Sequence, residues 1–336
     1  MLILGASDVA AVFGMAEAFA AVREAAIAHF RGETVVPPRG AMGLERSDCE
    51  LLVMPGVVGG EVFGLKLWYA FAEPREPLPR SSAVILLLDP VSRVEVVLDG
   101  GVITDLRTGA MTGLAAAELA PEGTRMIAVI GAGIQARTQI LALVHALDSV
   151  TEVRVCARRH GPLAEFVEAM RAELATAYPQ RMISVVAAAD PAAACQGAGV
   201  VVAATTSATP VIDDGWLDPD VLVCGVGSHS PDTAELDPAT VARAGLVVVD
   251  TYGGGLDGAG DISRVVAAGL LDRAEVLDLG ALLADSADRS RPRGGVRVFK
   301  SVGFSAADVV SARLVARRAI ELGLGTAIEI HLQRDR

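Results

Sequence analysis

A glycine-rich segment follows a short apolar run near the middle of the chain. The run Met126–Ile130 leads directly into Gly131, Ala132, Gly133, Ile134, Gln135 and Ala136. This is the G-x-G-x-x-A pattern of a strand–turn–helix that binds a dinucleotide, and the alternative is a glycine-rich turn without a ligand. The first glycine permits the tight turn, the second lets the backbone approach a pyrophosphate, and the alanine allows close helix packing. We therefore expect phosphates at the N-terminus of a helix.

Two arginines follow the second apolar run of the same region. The sequence there reads Cys156-Ala157-Arg158-Arg159, without an acidic residue. An NAD site usually has an aspartate or glutamate at this point, which binds the ribose 2′-hydroxyl. Two guanidinium groups instead suit a 2′-phosphate, so NADP(H) is favoured and NAD(H) is the second choice. The simpler alternative is that both arginines are solvated side chains at the start of a loop.

Small polar residues and glycines follow two later strand-like runs. An open α/β sheet binds its ligands beyond the carboxyl ends of its parallel strands. Hydroxyl side chains and glycines there allow a dinucleotide to pass close to the backbone, although ordinary turn chemistry is the alternative. The residues concerned are Thr205, Thr206 and Ser207 after the fourth run, and Val226, Gly227 and Ser228 after the fifth.

Three basic residues of the first third of the chain could bind a small anion. Arg39 follows two prolines, Lys66 lies within an apolar run typical of a strand, and Arg107 precedes an expected helix. A lysine among hydrophobic residues is costly unless an anion pairs with it, and the alternative is a side chain that reaches the surface. Burial and neighbouring cations would lower the pKa of Lys66 and suit it to relay a proton.

The composition limits the classes of partner. The chain has 336 residues, of which 52% are hydrophobic and 21% charged, and its formal net charge is −12. These values exclude a largely disordered protein and argue against nucleic acid as a partner. No signal peptide is visible, and no apolar stretch is long enough to cross a membrane. The four cysteines and five histidines have no metal-ligand spacing, so we expect a metal-free cytoplasmic protein with reduced thiols.

Hydrophobic periodicity predicts the elements of the first third. Apolar residues at three- and four-residue steps from Met15 to Phe30 predict a helix that Gly32 ends. Four short β-rich runs follow between residues 50 and 104. The sequence Asp99-Gly100-Gly101 predicts a hairpin, and a further helix is expected from Thr108 to Leu119.

Strand-like runs alternate with helix-like segments from residue 125 onward. Six such runs lie between Met126 and Val249. The alternation predicts a doubly wound parallel sheet, which makes residues 121–303 a Rossmann domain. A final helix from Ser305 to Leu322 is expected to return to the first third. The predicted fold is therefore α/β, with a Rossmann domain and a discontinuous α+β domain made of residues 1–120 and 304–336.

Together these segments resemble the ornithine cyclodeaminase/μ-crystallin family over nearly the whole chain, in its ketimine reductase and amino acid dehydrogenase-like branch. Each match is short, but their order and spacing are specific. The matching segments are Met54-Pro55, the strand with Lys66, Asp89 in its apolar run, Thr104–Ala110, Gly131–Ala136, Ala204–Ser207, Gly227–Leu236, Gly260-Asp261 and Phe299–Gly303.

The resemblance implies a homodimeric oxidoreductase whose discontinuous domain binds the substrate and forms the dimer. It also implies that Arg39, Lys66 and Arg107 hold the carboxylate of a small imino or amino acid beside the nicotinamide. The helix expected to open at Thr108 would add N–H donors near the cofactor phosphates. By the same resemblance, the residues near the nicotinamide ring would be Ser301, Val302 and Gly303.

One departure from the family pattern concerns the reaction. Members that cyclise ornithine and release ammonia have an aspartate two residues before Pro231, where this chain has His229. Histidine does not supply the same permanent negative charge, so the resemblance favours ketimine reductases of the pyrroline-2-carboxylate or iminosuccinate type. Lys66 and His229 are then the candidate catalytic residues, and His229 is also a candidate for substrate contact. Alanine-type amino acid dehydrogenation, ornithine cyclodeamination and ligand carriage without turnover are the alternatives.

Overall fold

The computed structural model describes residues 1–44, 48–71, 79–91, 93–284 and 294–329. The chain divides into two compact units, of which the first is Met1–Arg107 together with the chain from Phe304 onward, and the second is Thr108–Gly303. The later boundary lies where the sequence analysis put it, after residue 303. The earlier boundary lies inside a helix, whereas the sequence analysis put it after residue 120.

The elements before the earlier boundary follow the apolar runs of the sequence. In chain order they are β1 (Leu2–Leu4), α1 (Ala6–Val12), α2 (Met15–Phe30), β2 (Thr34–Val35), β3 (Gly40–Leu44), β4 (Cys49–Val58), β5 (Val62–Phe71), β6 (Ser81–Asp89), β7 (Val94–Asp99) and α3 (Gly101–Leu119). The predicted first helix is confirmed as α2. The Glu17 carboxylate accepts the Gly14 N–H at its start, and Gly32 beyond its end has a φ of 73°, a conformation that favours glycine.

The elements after that boundary alternate between strands and helices. They are β8 (Met126–Ile130), α4 (Ile134–Ala146), β9 (Glu152–Cys156), α5 (His160–Ala177), β10 (Ser184–Ala187), α6 (Pro191–Cys195), β11 (Val200–Ala203), β12 (Val221–Gly225), α7 (Pro238–Ala242), β13 (Leu246–Val249), α8 (Gly260–Ala267), β14 (Val276–Asp278), α9 (Leu279–Leu283), β15 (Val296–Lys300), α10 (Ser305–Glu321) and β16 (Thr326–Ala327). A π-helical turn, Tyr252–Leu256, follows β13.

The first unit contains a mixed sheet in the order β16-β1-β7-β6-β5-β4-β2, with β3 also paired to β4. The pairs from β4 to β7 are antiparallel, and β1 runs parallel to β7. Side chains of a strand alternate between the two faces of a sheet. Lys66 therefore shares a face with its register partners Met54 and Ile85, while Leu67 and its partner Val84 lie on the opposite face.

The face that carries Lys66 is covered by α10. Gly56 and Gly64 are register partners on β4 and β5. A Cβ on Gly56 would lie 2.7 Å from Ser305 Oγ, and one on Gly64 would lie 2.5 Å from Val309 Cγ2. The glycine pair thus lets the helix lie close to the sheet. α10 also packs against α2, which is the return to the first third that the sequence predicted.

The second unit contains a parallel sheet in the order β10-β9-β8-β11-β12-β15-β13-β14. All of its strand pairs are parallel, so the predicted Rossmann fold and its six strands are confirmed. The chain proceeds outward from β8 in one direction and restarts at β11 in the other. The carboxyl ends of β8 and β11 therefore form the switch point where open α/β sheets bind ligands.

The sheet has two strands beyond the six predicted runs, namely β14 and β15. β15 lies inside the sheet between β12 and β13. Arg297 and Lys300 interrupt its apolar pattern, so the segment does not read as a buried strand, yet both side chains are buried. Each charge is paired, Arg297 with Asp220 and Lys300 with Asp261, which makes their burial tolerable.

The hairpin expected at Asp99-Gly100-Gly101 is wrong, because these residues lead from the end of β7 into α3. Asp99 Oδ1 accepts the N–H of Val102 at 3.0 Å, and the Gly100 N–H donates to the carbonyl of Ala83. Short polar side chains start helices as readily as they form turns. Thr108 consequently lies inside α3, where backbone N–H groups bond within the helix. The helix N-terminus expected at Thr108, with its N–H donors for phosphate, is therefore wrong.

Candidate functional site

The glycine-rich segment forms the turn between β8 and α4, as predicted. Gly131 has a φ of 127°, and a Cβ there would overlap the carbonyl oxygen of Ala204, so only glycine fits. A Cβ on Gly133 would meet nothing within 4 Å, and Gly133 is the N-cap residue of α4. Ala136 is completely buried beneath the turn. The helix begins at Ile134, directly after the turn, and the open turn fits the pyrophosphate of a dinucleotide.

The ends of three strands meet at this turn. The Gly131 N–H donates to the carbonyl of Cys156 at the end of β9, and the Ala204 N–H donates to the carbonyl of Ile130. Arg158 and Arg159 follow β9 after Ala157, and both are exposed. Their position beside the glycine turn is compatible with a 2′-phosphate contact, and their exposure is also that of solvated side chains.

A buried glutamate that the sequence analysis did not single out holds the two loops after β11 and β12. The N–H and hydroxyl of Thr205 both donate to Glu235 Oε1, at 2.7 and 2.6 Å. The N–H groups of Gly227 and Ser228 donate to Glu235 Oε2, at 2.6 and 2.9 Å. One carboxylate therefore fixes both candidate cofactor loops, and these three N–H groups are directed at it. Of the neighbouring candidates, Thr206 is exposed. The Ser207 hydroxyl donates to the carbonyl of Thr209, and the Val226 N–H donates to the carbonyl of Ala203.

A second buried carboxylate lies beneath the His229 loop. Lys300 Nζ lies 2.9 Å from Asp261 Oδ2 and donates to the carbonyl and hydroxyl oxygens of Ser228 at 2.8 and 2.7 Å. The Ser228 hydroxyl donates to Asp261 Oδ2, and Asp261 Oδ1 accepts the N–H groups of Glu235 and Leu236. Burial alone would raise the pKa of Asp261, but Lys300 and the hydrogen bonds hold it below its usual value. This network fixes the loop from below.

A third buried carboxylate, Asp250, organises the segment after β15. Its Oδ2 accepts the Ser301 hydroxyl and the N–H groups of Val302 and Gly303, at 2.9, 2.7 and 2.6 Å. Its Oδ1 accepts two more N–H groups, from Thr251 and Gly255. The segment that resembles the family's nicotinamide loop is thus held in one conformation.

His229 lies in the loop that this network supports. The side chain is half-buried, and its Nδ1 is 3.3 Å from the carbonyl oxygen of Gly227. This contact suits the tautomer in which Nδ1 carries the proton.

The first unit brings together Lys66 and Arg107 around an aspartate of α10. Lys66 Nζ lies 2.8 Å from Asp308 Oδ2, and Arg107 Nε lies 3.1 Å from Asp308 Oδ1. The exposed fraction of the side chain is 2% for Lys66, 5% for Arg107 and 1% for Asp308. Arg39, half-exposed just before β3, is close enough for its charge to act on Lys66. The three predicted basic residues are therefore neighbours, and Asp308 is an acidic member that the sequence analysis missed.

Burial and charge shift the pKa values of this cluster. Burial lowers the pKa of Lys66, the charges of Arg107 and Arg39 lower it further, and Asp308 opposes them, which leaves a pKa of about 8. Burial alone would raise the pKa of Asp308, but Arg107 and Lys66 outweigh that effect and keep it below its usual value. An ammonium with a pKa near 8 can give up and regain a proton at neutral pH.

The described residues show no cluster of three or more histidine, cysteine, aspartate or glutamate side chains that could hold a metal ion. Across the same residues, no helix combines the length and apolar character needed to cross a membrane. The four cysteines are free and buried.

Fold and site together define a dinucleotide-binding α/β protein with a separate buried basic cluster. The family model of the ornithine cyclodeaminase/mu-crystallin family matches residues 1–322. The chain therefore belongs to this family, which confirms the resemblance seen in its sequence.

Several relatives are similar over their full length. A Delta(1)-pyrroline-2-carboxylate reductase of Bacillus cereus is 27% identical, over 98% of this chain and 100% of its own. The structure of the Thermococcus litoralis Delta(1)-pyrroline-2-carboxylate reductase with NADH and L-proline has a TM-score of 0.89 and 29% identity, covering 98% of this chain and 100% of that one. An archaeal alanine dehydrogenase dimer with bound NAD has a TM-score of 0.86 and 28% identity, covering 98% and 99%.

Proposed function

We propose that this protein is an NAD(P)H-dependent reductase of the C=N bond in small 2-imino acids. The observation that carries the proposal is the buried cluster in which Lys66, with a pKa of about 8, lies beside Arg107 and Arg39. A cationic site of this kind suits a small carboxylate, and its lysine suits proton transfer. Relatives of similar length and fold are named as reductases of pyrroline-2-carboxylate.

The basic residues have separate roles in this proposal. Arg107 and Arg39 bind the carboxylate of the substrate and so orient the adjacent C=N bond. The Lys66 ammonium donates a proton to the imine nitrogen, and the iminium carbon is then a better hydride acceptor. The dinucleotide supplies the hydride for that carbon when it is bound. The C=N bond becomes CH–NH, and the neutral lysine regains its proton from solvent.

The second unit holds the dinucleotide in this proposal. The glycine turn would receive the pyrophosphate, and the loops fixed by Glu235 and Asp250 follow strands that end at the same edge of the parallel sheet. Arg158, Arg159 and the absence of an acid after β9 favour NADP(H) over NAD(H). His229 contacts the distal end of the substrate or serves as a second proton donor, from the loop that Asp261 and Lys300 hold.

Oxidation of NADPH, followed at 340 nm, tests the reaction. We expect turnover with Δ1-pyrroline-2-carboxylate, or with oxaloacetate or pyruvate plus ammonia or methylamine. NADH in place of NADPH tests the cofactor preference, and a lower kcat/KM with NADH is expected. Ammonia released from ornithine without net change in NADP(H) would instead identify a cyclodeaminase. Binding of NADPH with no turnover of any imine would identify a carrier.

We also infer a homodimer formed through the face of the mixed sheet opposite α10. Leu67, Val84 and Leu88 on this face are 40%, 45% and 40% exposed, and a contiguous apolar face of this kind marks an interface. Light scattering after gel filtration should give twice the mass of one chain. The double variant Leu67→Lys/Val84→Lys should give the mass of one. Ile320→Lys, an equally apolar and exposed position on α10, should leave the mass unchanged, and a dimeric double variant would refute this interface.

A further inference from the structure

The chain contains only two lysines, Lys66 and Lys300, among 29 basic residues. Both are completely buried, and each is paired with a buried aspartate. Arginine fills every other basic position. Lysine differs from arginine in that its pKa shifts readily on burial, so that it can exchange protons near neutral pH. The residues that surround Lys66 therefore decide whether it is charged when the substrate binds.

Asp308 is brought to Lys66 by the way α10 lies on the sheet. Ser305, Asp308 and Val309 lie at positions i, i+3 and i+4 and therefore on one face of the helix. Ser305 and Val309 lie over the glycine pair Gly56–Gly64. Lys66 is two residues beyond Gly64 and so on the same face of β5. The close approach that the glycines permit thus sets the 2.8 Å distance between Lys66 Nζ and Asp308 Oδ2.

We propose that Asp308 is a positioning residue, which fixes the Lys66 ammonium and the Arg107 guanidinium and keeps Lys66 charged for proton donation. Its two carboxylate oxygens serve the two cations separately, Oδ2 toward Lys66 and Oδ1 toward Arg107. Among the described residues, the charges that shift the pKa of Lys66 are those of Arg107, Arg39 and Asp308, and of these Asp308 alone favours the charged lysine. The part of this proposal that concerns proton donation rests on the proposed reductase function.

The presence of only two lysines allows a direct test that needs no activity. Protein labelled with 13C at lysine Cε gives two lysine side-chain resonances, and loss of one in Lys66→Arg assigns the other to Lys300. In Asp308→Asn the pKa of Lys66 should fall by at least about one unit, because an opposite charge within hydrogen-bond distance is lost. The Lys300 resonance is an internal control and should not change, since its partner Asp261 is untouched.

The pH dependence of kcat/KM should change in the same direction as the pKa of Lys66. If charged Lys66 donates the proton, kcat/KM for imine reduction falls as pH rises through its pKa. In Asp308→Asn this basic limb should move to lower pH by the shift that NMR measures. Protonation of the substrate affects both enzymes equally, so it cancels when the kcat/KM of the variant is divided by that of the wild type at each pH. Ser311→Ala, a buried position on the same helix, should move neither the resonance nor the limb.

The outcomes separate this proposal from the proposed function. An unchanged Lys66 pKa in a folded Asp308→Asn variant overturns the positioning role, whatever the activity. A shifted pKa with an unmoved basic limb shows that Asp308 controls Lys66 but that Lys66 is not the proton donor. Absence of imine turnover in the wild type refutes the reductase and leaves the NMR result to decide the role of Asp308 alone. If Asp308→Asn does not fold, Asp308→Glu, which retains the charge, should keep the pKa of Lys66 within about half a unit of wild type.

Discussion

Replacing Lys66 with methionine is expected to lower kcat/KM for imine reduction by about 10²- to 10⁴-fold, the usual contribution of a positioned acid or base. Methionine resembles lysine in length but has no proton to give. Asp308 would keep Arg107 as its ion-pair partner, so the buried carboxylate is not left alone. The affinity for NADPH, measured by fluorescence titration, should be unchanged because the glycine turn belongs to the other unit.

The variant Lys66→Arg separates charge from proton donation. Arginine keeps the positive charge but is not deprotonated in proteins. We expect Lys66→Arg to retain most of the substrate affinity and to lose kcat nearly as fully as Lys66→Met. A Lys66→Arg enzyme with near wild-type kcat would mean that only the charge is needed, and the proton-donor role would be wrong.

Local patterns were sufficient for the parts of the fold and site that lie within one strand–turn–helix unit. The glycine turn at Gly131 is such a case, because the residues that require glycine and the strand before it are adjacent in sequence. That Arg39, Lys66 and Arg107 act together is implied by the family resemblance, and the residues themselves add one indication. Lys66 is anomalous within an apolar strand, and the anomaly indicates a partner without identifying it.

The partners could not be predicted because they are distant in sequence. Asp308 is 201 residues from Arg107, and the pairing depends on α10 lying over the glycine pair. Glu235 and Asp250 likewise accept N–H groups from loops that only the complete parallel sheet brings together. A signal was present for Asp250 and Asp308, since an acidic residue beside or within an apolar segment requires hydrogen bonds if it is buried. A single sequence does not say which donors those are.

The errors in the elements have the same origin. Asp99-Gly100-Gly101 has the residues of a turn, and whether it closes a hairpin or starts a helix depends on where the chain goes next. β15 was not predicted as a strand because Arg297 and Lys300 interrupt its apolar pattern. Their partners Asp220 and Asp261 come close only when the sheet and α8 have formed. In both cases tertiary contacts outside the segment decide between local alternatives.

Buried carboxylates thus hold two cationic side chains in the first unit and several loops in the second, and their removal has different consequences. Asp308 acts on a side chain that we assign to chemistry. Asp261 acts on the backbone of the loop with His229 and on the N–H groups of Glu235 and Leu236, so its ion pair with Lys300 supports the architecture of the second unit.

The variant Lys300→Met is expected to lower the free energy of unfolding of the second unit by about 3–5 kcal/mol, the cost of leaving one member of a buried ion pair uncompensated. Lys300 is completely buried and makes three polar contacts. The chain has two tryptophans, Trp68 in the first unit and Trp216 in the second. Urea unfolding followed by Trp216 fluorescence in a Trp68→Phe background therefore reports on the second unit.

The reason for the loss can be checked by a second substitution. Asn at position 261 has no charge to leave unpaired, and its oxygen can still accept the N–H groups of Glu235 and Leu236. Asp261→Asn should therefore restore part of the stability in the Lys300→Met background, although it destabilises the wild type. The exposed pair of Arg243 with Asp214 provides the control, and Arg243→Ala should cost about 1 kcal/mol or less. A Lys300→Met loss as small as that of Arg243→Ala would refute the architectural role of the buried pair.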